Sequence, residues 1–162
     1  MPRKTREFET EIPIKLCFEV LHTIGDHLSW QLIEANPTIY SLKWQHKTYP
    51  MAPATTIYAD LKPLGDHGTK INLTGELGGW GIDGPGHIPK ALDSMQMPLE
   101  NFIAEAEPLL RDGLMCPNCA MRLSSGTKFC PNDGTPIGRE CSSCKHINIP
   151  SARFCANCGN NI

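Results

Sequence analysis

No stretch of this sequence is long and apolar enough to span a bilayer. The longest run free of Asp, Glu, Lys and Arg covers residues 48–59, twelve positions interrupted by Pro50 and Pro53, where a membrane helix needs about 20 apolar residues. Charge of one sign is lacking too. Fifteen Lys and Arg stand against 17 Asp and Glu, a formal net charge of −2, so the chain as a whole is not a polycation suited to phosphate. The zinc-hydrolase and zinc-deaminase patterns H-E-x-x-H and H-x-E do not occur. Near the start, Arg3, Lys4 and Arg6 are followed by Glu7, Glu9 and Glu11 instead of the apolar stretch of a signal peptide. A cytoplasmic location is the expectation. What remains, 40% apolar and 20% charged residues, is the composition of an ordinary globular protein.

Cysteine is nearly absent from the first 113 residues, which hold only Cys17, and then seven cysteines fall in the last 47. This break predicts two domains, residues 1–112 and 114–162, the second divided into 114–138 and 139–162. The spacing is Cys116-x2-Cys119, ten residues, Cys130, then Cys141-x2-Cys144, ten residues, Cys155-x2-Cys158. An offset of 25 residues superposes the halves and aligns Asp133 with Cys158. Two C-x2-C turns joined by a hairpin supply four soft donors to one tetrahedral zinc. A disulfide framework is disfavoured, because seven clustered cysteines leave one unpaired and no secretory signal is evident. Two zinc ions per chain are therefore expected, held by Cys116, Cys119, Cys130 and Asp133 and by Cys141, Cys144, Cys155 and Cys158. Three completions of the first site compete: the Asp133 carboxylate, which is favoured, an imidazole from His146, or a water at an open position.

The run Cys-Pro-Asn-Cys, Lys-Phe-Cys-Pro-Asn-Asp-Gly, Cys-Ser-Ser-Cys, Arg-Phe-Cys-Ala-Asn-Cys-Gly across residues 114–162 resembles the double zinc ribbon family. That resemblance implies an accessory module for recognising proteins or nucleic acids. Asp133 is the departure from its pattern. The five basic residues of the module are spaced singly, and its formal +3 falls to about zero once seven thiolates hold two zinc ions. Charge thus favours a protein partner over RNA or a ribosome, which stay as an alternative. Met121, Leu123, Ile137 and Ile147 are candidate exposed contacts, because so small a module cannot bury every apolar side chain.

In residues 1–112 the pattern predicts a strand over 8–14 and a short helix with Cys17, Leu21, Ile24 and Leu28 on its apolar stripe. Cys17 reads as core, and His22 and His27 as solvated side chains. Two antiparallel hairpins follow, residues 30–34 with 39–46 and 55–61 with 70–76, with a bulge near Ser41; in the second, alternation sets Ile57, Ala59 and Leu61 opposite Ile71 and Leu73 on one buried face. Residues 75–86 contain six glycines, and 79–84 match G-x-G-x-x-G. A dinucleotide site is rejected, because that motif requires a parallel βαβ unit. Trp80 in this loop is a candidate partner anchor, with a lid over the core as its alternative. A last helix begins near Pro89, with a kink or break expected near Met97 at Pro98 and an end within 107–111. Met95 and Met97 are candidate pocket residues, but methionine stripes are ordinarily core filler. The order β-α-β4-α predicts an α+β fold, a twisted antiparallel sheet with a long C-terminal helix. In outline it is similar to a reduced helix-grip, START-like domain, which implies an apolar cavity between helix and sheet. The leading functional expectation is a non-enzymatic, zinc-binding adaptor for a protein partner. A small apolar ligand-binding domain tethered by the ribbon is the alternative.

Overall fold

The computed structural model describes all residues except 1, 48–52, 66–67 and 79–85. Trp80, the G-x-G-x-x-G segment and the turn residues Asp66 and His67 lie outside the described residues. The chain divides into two compact units, Met1–Ile103 and Ala104–Ile162, so packing divides it within the last helix, ahead of the composition break at Gly113.

The first unit is a five-stranded antiparallel sheet in the order β1-β5-β4-β3-β2. Its strands are β1 (Arg3–Thr10), β2 (Gln31–Asn36), β3 (Ser41–His46), β4 (Thr55–Leu64) and β5 (Gly68–Leu77), with helix α1 (Ile14–His27) after β1 and α2 (His87–Arg111) after β5. β5 pairs antiparallel with both β1 and β4, which removes the parallel unit a dinucleotide fingerprint needs. On β4 and β5 the alternation works as read: Ala59 faces Leu73 and Leu61 faces Ile71 in register, all buried on the inner face.

The first strand lies upstream of the expected 8–14. Pro13, at φ −58°, has no N–H for a ladder, and its carbonyl accepts from Cys17 N at 3.1 Å to close the first turn of α1. Ile14 therefore starts the helix. β1 extends back to Arg3 because its ladder with β5 runs unbroken from Arg3 opposite Glu76 to Thr10 opposite Thr69, with Lys70 Nζ 3.1 Å from Glu7 and 3.8 Å from Glu9 on its exposed face. Cys17 is fully buried, as read from the helical stripe. His22 pairs with Asp26 at 3.3 Å, and His27 is exposed.

The bulge falls on β2 instead of near Ser41. Leu32 pairs with Trp44 and Glu34 with Lys43, leaving Ile33 as the extra residue. Ser41 pairs regularly with Asn36 and Asp60. The irregular spacing before it belongs to the turn, where Asn36 Oδ1 accepts from Thr38 N and Ile39 N and Tyr40 takes φ +50°.

Helix α2 is continuous from His87 to Arg111 despite Pro98 and Pro108. Ile88, Ala91, Leu92, Met95 and Leu99 are buried on one stripe, and that packing outweighs the roughly 3 kcal/mol an interior proline costs. Gly75 on β5 makes the approach close: a Cβ there would stand 2.6 Å from Ile88 Cγ2. Arg6 on β1 reaches Asp93 at 2.5 Å and also hydrogen-bonds Gln96. Met95 is core, whereas Met97 is 66% exposed. No helix among the described residues is long and apolar enough to cross a membrane.

Candidate metal centres

The second unit is built from one turn used four times. In each, a cysteine N–H donates to the carbonyl five residues on, and the N–H four residues on donates back to the cysteine carbonyl. The pairs are Cys116 with Met121 and Ala120, Cys130 with Thr135 and Gly134, Cys141 with His146 and Lys145, and Cys155 with Asn160 and Gly159, at 2.7–3.0 Å. The residue closing each turn has positive φ: Ala120 57°, Gly134 72°, Lys145 61° and Gly159 74°. Such a turn aims the first cysteine and the residue three positions later toward one centre.

Short pairings hold the turns together. Isolated bridges join Met115 to Arg122, Phe129 to Pro136 and Phe154 to Asn161, and β6 (Arg139–Glu140) pairs with β7 (Ile147–Asn148). The end of α2 leads into the first turn through paired bonds, Gly113 N to Leu110 O at 3.1 Å and Leu114 N to Leu109 O at 2.7 Å, with Gly113 at φ +69°. Asn148 is buried and ties the second ribbon: its Nδ2 donates to His146 O at 3.0 Å, and its Oδ1 accepts from Ala156 N at 2.8 Å.

Two clusters result, Cys141, Cys144, Cys155 and Cys158, and Cys116, Cys119, Cys130 and Asp133, each with donor atoms within 4.8 Å of one another. Sulfur separations are 3.6 Å for Cys119 to Cys130 and for Cys141 to Cys158, and 3.5 Å for Cys144 to Cys155. With Zn–S near 2.3 Å, the edge of a tetrahedral sulfur site is about 3.8 Å. Replacing one sulfur by oxygen near 2.1 Å shortens the mixed edge to about 3.6 Å, and Asp133 Oδ2 lies 3.6 Å from Cys116 Sγ. The burial sequence is the same in both clusters, with Asp133 exposed where Cys158 is exposed. Soft sulfur donors at these distances fit two zinc ions. Among the described residues the fourth donor of the first cluster is Asp133; His146 is not part of it, and its carbonyl serves the Cys141 turn.

The electrostatics differ from donor to donor. The Thr135 backbone N–H and the Asn118 amide hold the Asp133 carboxyl well below its ordinary value. Burial pushes the Cys130 thiol up to about 11. At the second site burial works against the Cys155 thiolate, but backbone N–H groups of Cys158 and Asn157 outweigh it and bring that thiol down to about 6. The Asn160 N–H favours the Cys158 thiolate, yet the neighbouring Cys144 and Cys141 sulfurs and burial push it to about 12. Four thiolates so close repel one another, and a divalent cation relieves that repulsion.

Residues 116–159 match the double zinc ribbon family. The rest of the chain shares its fold with solved domains at low identity. The di-domain ARO/CYC BexL from the BE-7585A biosynthetic pathway superposes with a TM-score of 0.51 at 11% identity, over 70% of this chain and 49% of that one. The di-domain ARO/CYC StfQ from the steffimycin biosynthetic pathway gives 0.50 at 12% identity, over 68% and 47%. This chain thus spans about half the length of those proteins, and the likeness places its first unit in the helix-grip fold. No curated protein matches.

Of the expected contact residues, Met121 is 42% exposed and Ile147 is half-buried on β7. Ile137 is buried and Leu123 half-buried, packed with Cys116 and Cys130 in a small core; Ile137 is not a surface residue, because the ribbon uses it to cover its ligands, and Leu123 is partly exposed. Sequence reasoning missed Phe129 and Phe154, exposed by 55% and 65% at equivalent positions of the two halves. The available signal was the repetition itself, an aromatic side chain beside a ligand cysteine in a module with little core.

Proposed function

We propose that this chain is a non-enzymatic zinc-binding adaptor whose double ribbon docks onto a protein partner. The observation that carries this reading is the pair Phe129 and Phe154, exposed at repeat-equivalent positions beside Cys130 and Cys155. Exposed aromatic side chains are the usual anchors of protein interfaces. Four protein donors at each centre suit a closed, structural zinc rather than a catalytic one with an open position. The near-zero charge of the loaded ribbon favours an apolar contact over phosphate.

The test compares full-length zinc-loaded protein with the Phe129→Ala/Phe154→Ala variant as bait for native lysate. Partner capture is expected to survive nuclease and 200 mM salt and to be lost in the variant. Nucleic-acid binding through six phosphate contacts would weaken by roughly 10³-fold between 50 and 200 mM salt. Recovery of RNA with that salt dependence overturns the reading.

A second reading, a carrier of a small apolar ligand, is favoured by the helix-grip likeness to the ARO/CYC domains. Saturable binding of a polycyclic aromatic probe to the full chain, unaffected by the two Phe→Ala changes, would support it.

A further inference from the structure

The two ribbons offer an internal comparison. At the 25-residue offset Asp133 aligns with Cys158 and Asn118 aligns with Ser143. The two departures touch: Asn118 Nδ2 donates to Asp133 Oδ2 at 2.8 Å. In the second ribbon Ser143 Oγ accepts from Asn160 Nδ2 at 2.8 Å instead. A side-chain amide thus meets the fourth donor where that donor is a carboxylate.

The chemistry of the donor explains the need. A cysteine thiolate offers one atom. A carboxylate offers two, and an exposed aspartate exchanges ligation for water by rotating its side chain. Thr135 N holds Oδ1 at 2.9 Å, a bond within the same turn. Asn118 comes from the opposite turn, 15 residues earlier, and ties the carboxylate across the site. Both oxygens face Cys116 Sγ, and Oδ2, the one it holds, is the nearer, at 3.6 Å against 3.8 Å for Oδ1.

The geometry points to Asn118 as a positioning residue for the first zinc: its amide fixes the Asp133 carboxylate in the ligating orientation, and so sets how firmly a Cys3Asp site keeps its metal. This rests on Asp133 being the fourth ligand. Partners of metal ligands commonly change metal affinity by about 10–100-fold when removed.

The experiment follows zinc release from the loaded full-length chain to a chromogenic chelator. One equivalent is expected to leave quickly and one slowly. Asn118→Ala should speed the fast equivalent about 10–100-fold and leave the slow one unchanged. In an Asp133→Cys background, where no carboxylate remains to orient, Asn118→Ala should have no effect. Cobalt(II) loading adds a signature: Asn118→Ala should shift the ligand-field bands while keeping the sulfur charge-transfer intensity. Wild-type release from Asn118→Ala, or equal acceleration in the Asp133→Cys background, overturns the proposal. If Asp133→Cys itself changes neither release nor cobalt spectrum, the ligand assignment fails, a result distinct from failure of Asn118 alone. Should Asn118→Ala not load its first site, the double variant decides: loading of both sites supports the proposal, and failure to load overturns it.

Discussion

Gly25 on α1 lies against the fully buried Trp44 of β3: a Cβ at Gly25 would stand 2.7 Å from Trp44 Cε2 and closer still to Nε1. Glycine in a helix interior usually costs about 1 kcal/mol relative to alanine. Here the missing Cβ is what lets the indole lie against the helix. Gly25→Ala should therefore destabilise the first unit by about 2 kcal/mol, overpacking outweighing the helix-propensity gain. Urea unfolding followed by tryptophan emission measures it, and Trp44→Phe combined with Gly25→Ala should recover part of the loss.

All three tryptophans, Trp30, Trp44 and Trp80, lie ahead of the cysteine-rich segment. Tryptophan emission thus reports on the first unit and zinc content on the second. Elemental analysis should find two zinc ions per chain. Stripping them should unfold the ribbons, the first of which has its small core built around the ligand cysteines Cys116 and Cys130, while tryptophan emission stays native. Asp133→Cys should slow loss of the first equivalent, because a soft sulfur replaces a hard oxygen. A simultaneous collapse of both signals would contradict two separately folded units.

The metal centres were legible because ligand spacing is a covalent fact of the chain. Cys116, Cys119 and Cys130 could be paired from spacing alone, and the offset repeat pointed to Asp133. Alternation placed Ile57, Ala59, Leu61, Ile71 and Leu73 on the inner face for the same reason, since period two is local. The errors arose where tertiary packing outvoted a local rule. Pro98 suggests a break, yet Met95 and Leu99 on either side are buried on one face. Ile12 and Ile14 continue an alternation, but Pro13 converts the segment into a helix start. The polar clips had no signal at all: Asn118 to Asp133 and Asn148 to Ala156 are single bonds across 15 and 8 residues, without periodicity to announce them.

His46 at the end of β3 packs its ring 5.5 Å from that of Trp30. Burial lowers its pKa below 6.5, and the neighbouring His87 lowers it further. A lowered folded-state value means that the unfolded chain binds the proton more readily. The stability contribution is complete above about pH 6.5 and is lost as pH falls through the folded-state value. The urea midpoint of the first unit should drop on acidification below pH 6.5, and His46→Gln should flatten that dependence. A wild-type midpoint independent of pH between 5 and 7 would contradict it.

Ala120 and Lys145 close their turns at φ 57° and 61°, where the equivalent positions hold Gly134 and Gly159. A side chain in this left-handed region costs roughly 1–2 kcal/mol, partly offset by the greater freedom glycine has in the unfolded chain. The two positions are therefore residual strain in an otherwise repeated design. Ala120→Gly should stabilise the first ribbon and Lys145→Gly the second, each by about 1 kcal/mol. Since metal binding and folding of such modules are one equilibrium, the gain should appear as about fivefold tighter zinc binding at the altered site. Lys145→Gly also removes the exposed pair with Glu140 at 3.1 Å, a contact of the kind worth at most about 1 kcal/mol, so Ala120→Gly should show the larger gain. Competition against a chelator of known affinity measures both, and a weakened first site in Ala120→Gly would show that the left-handed turn is not strained.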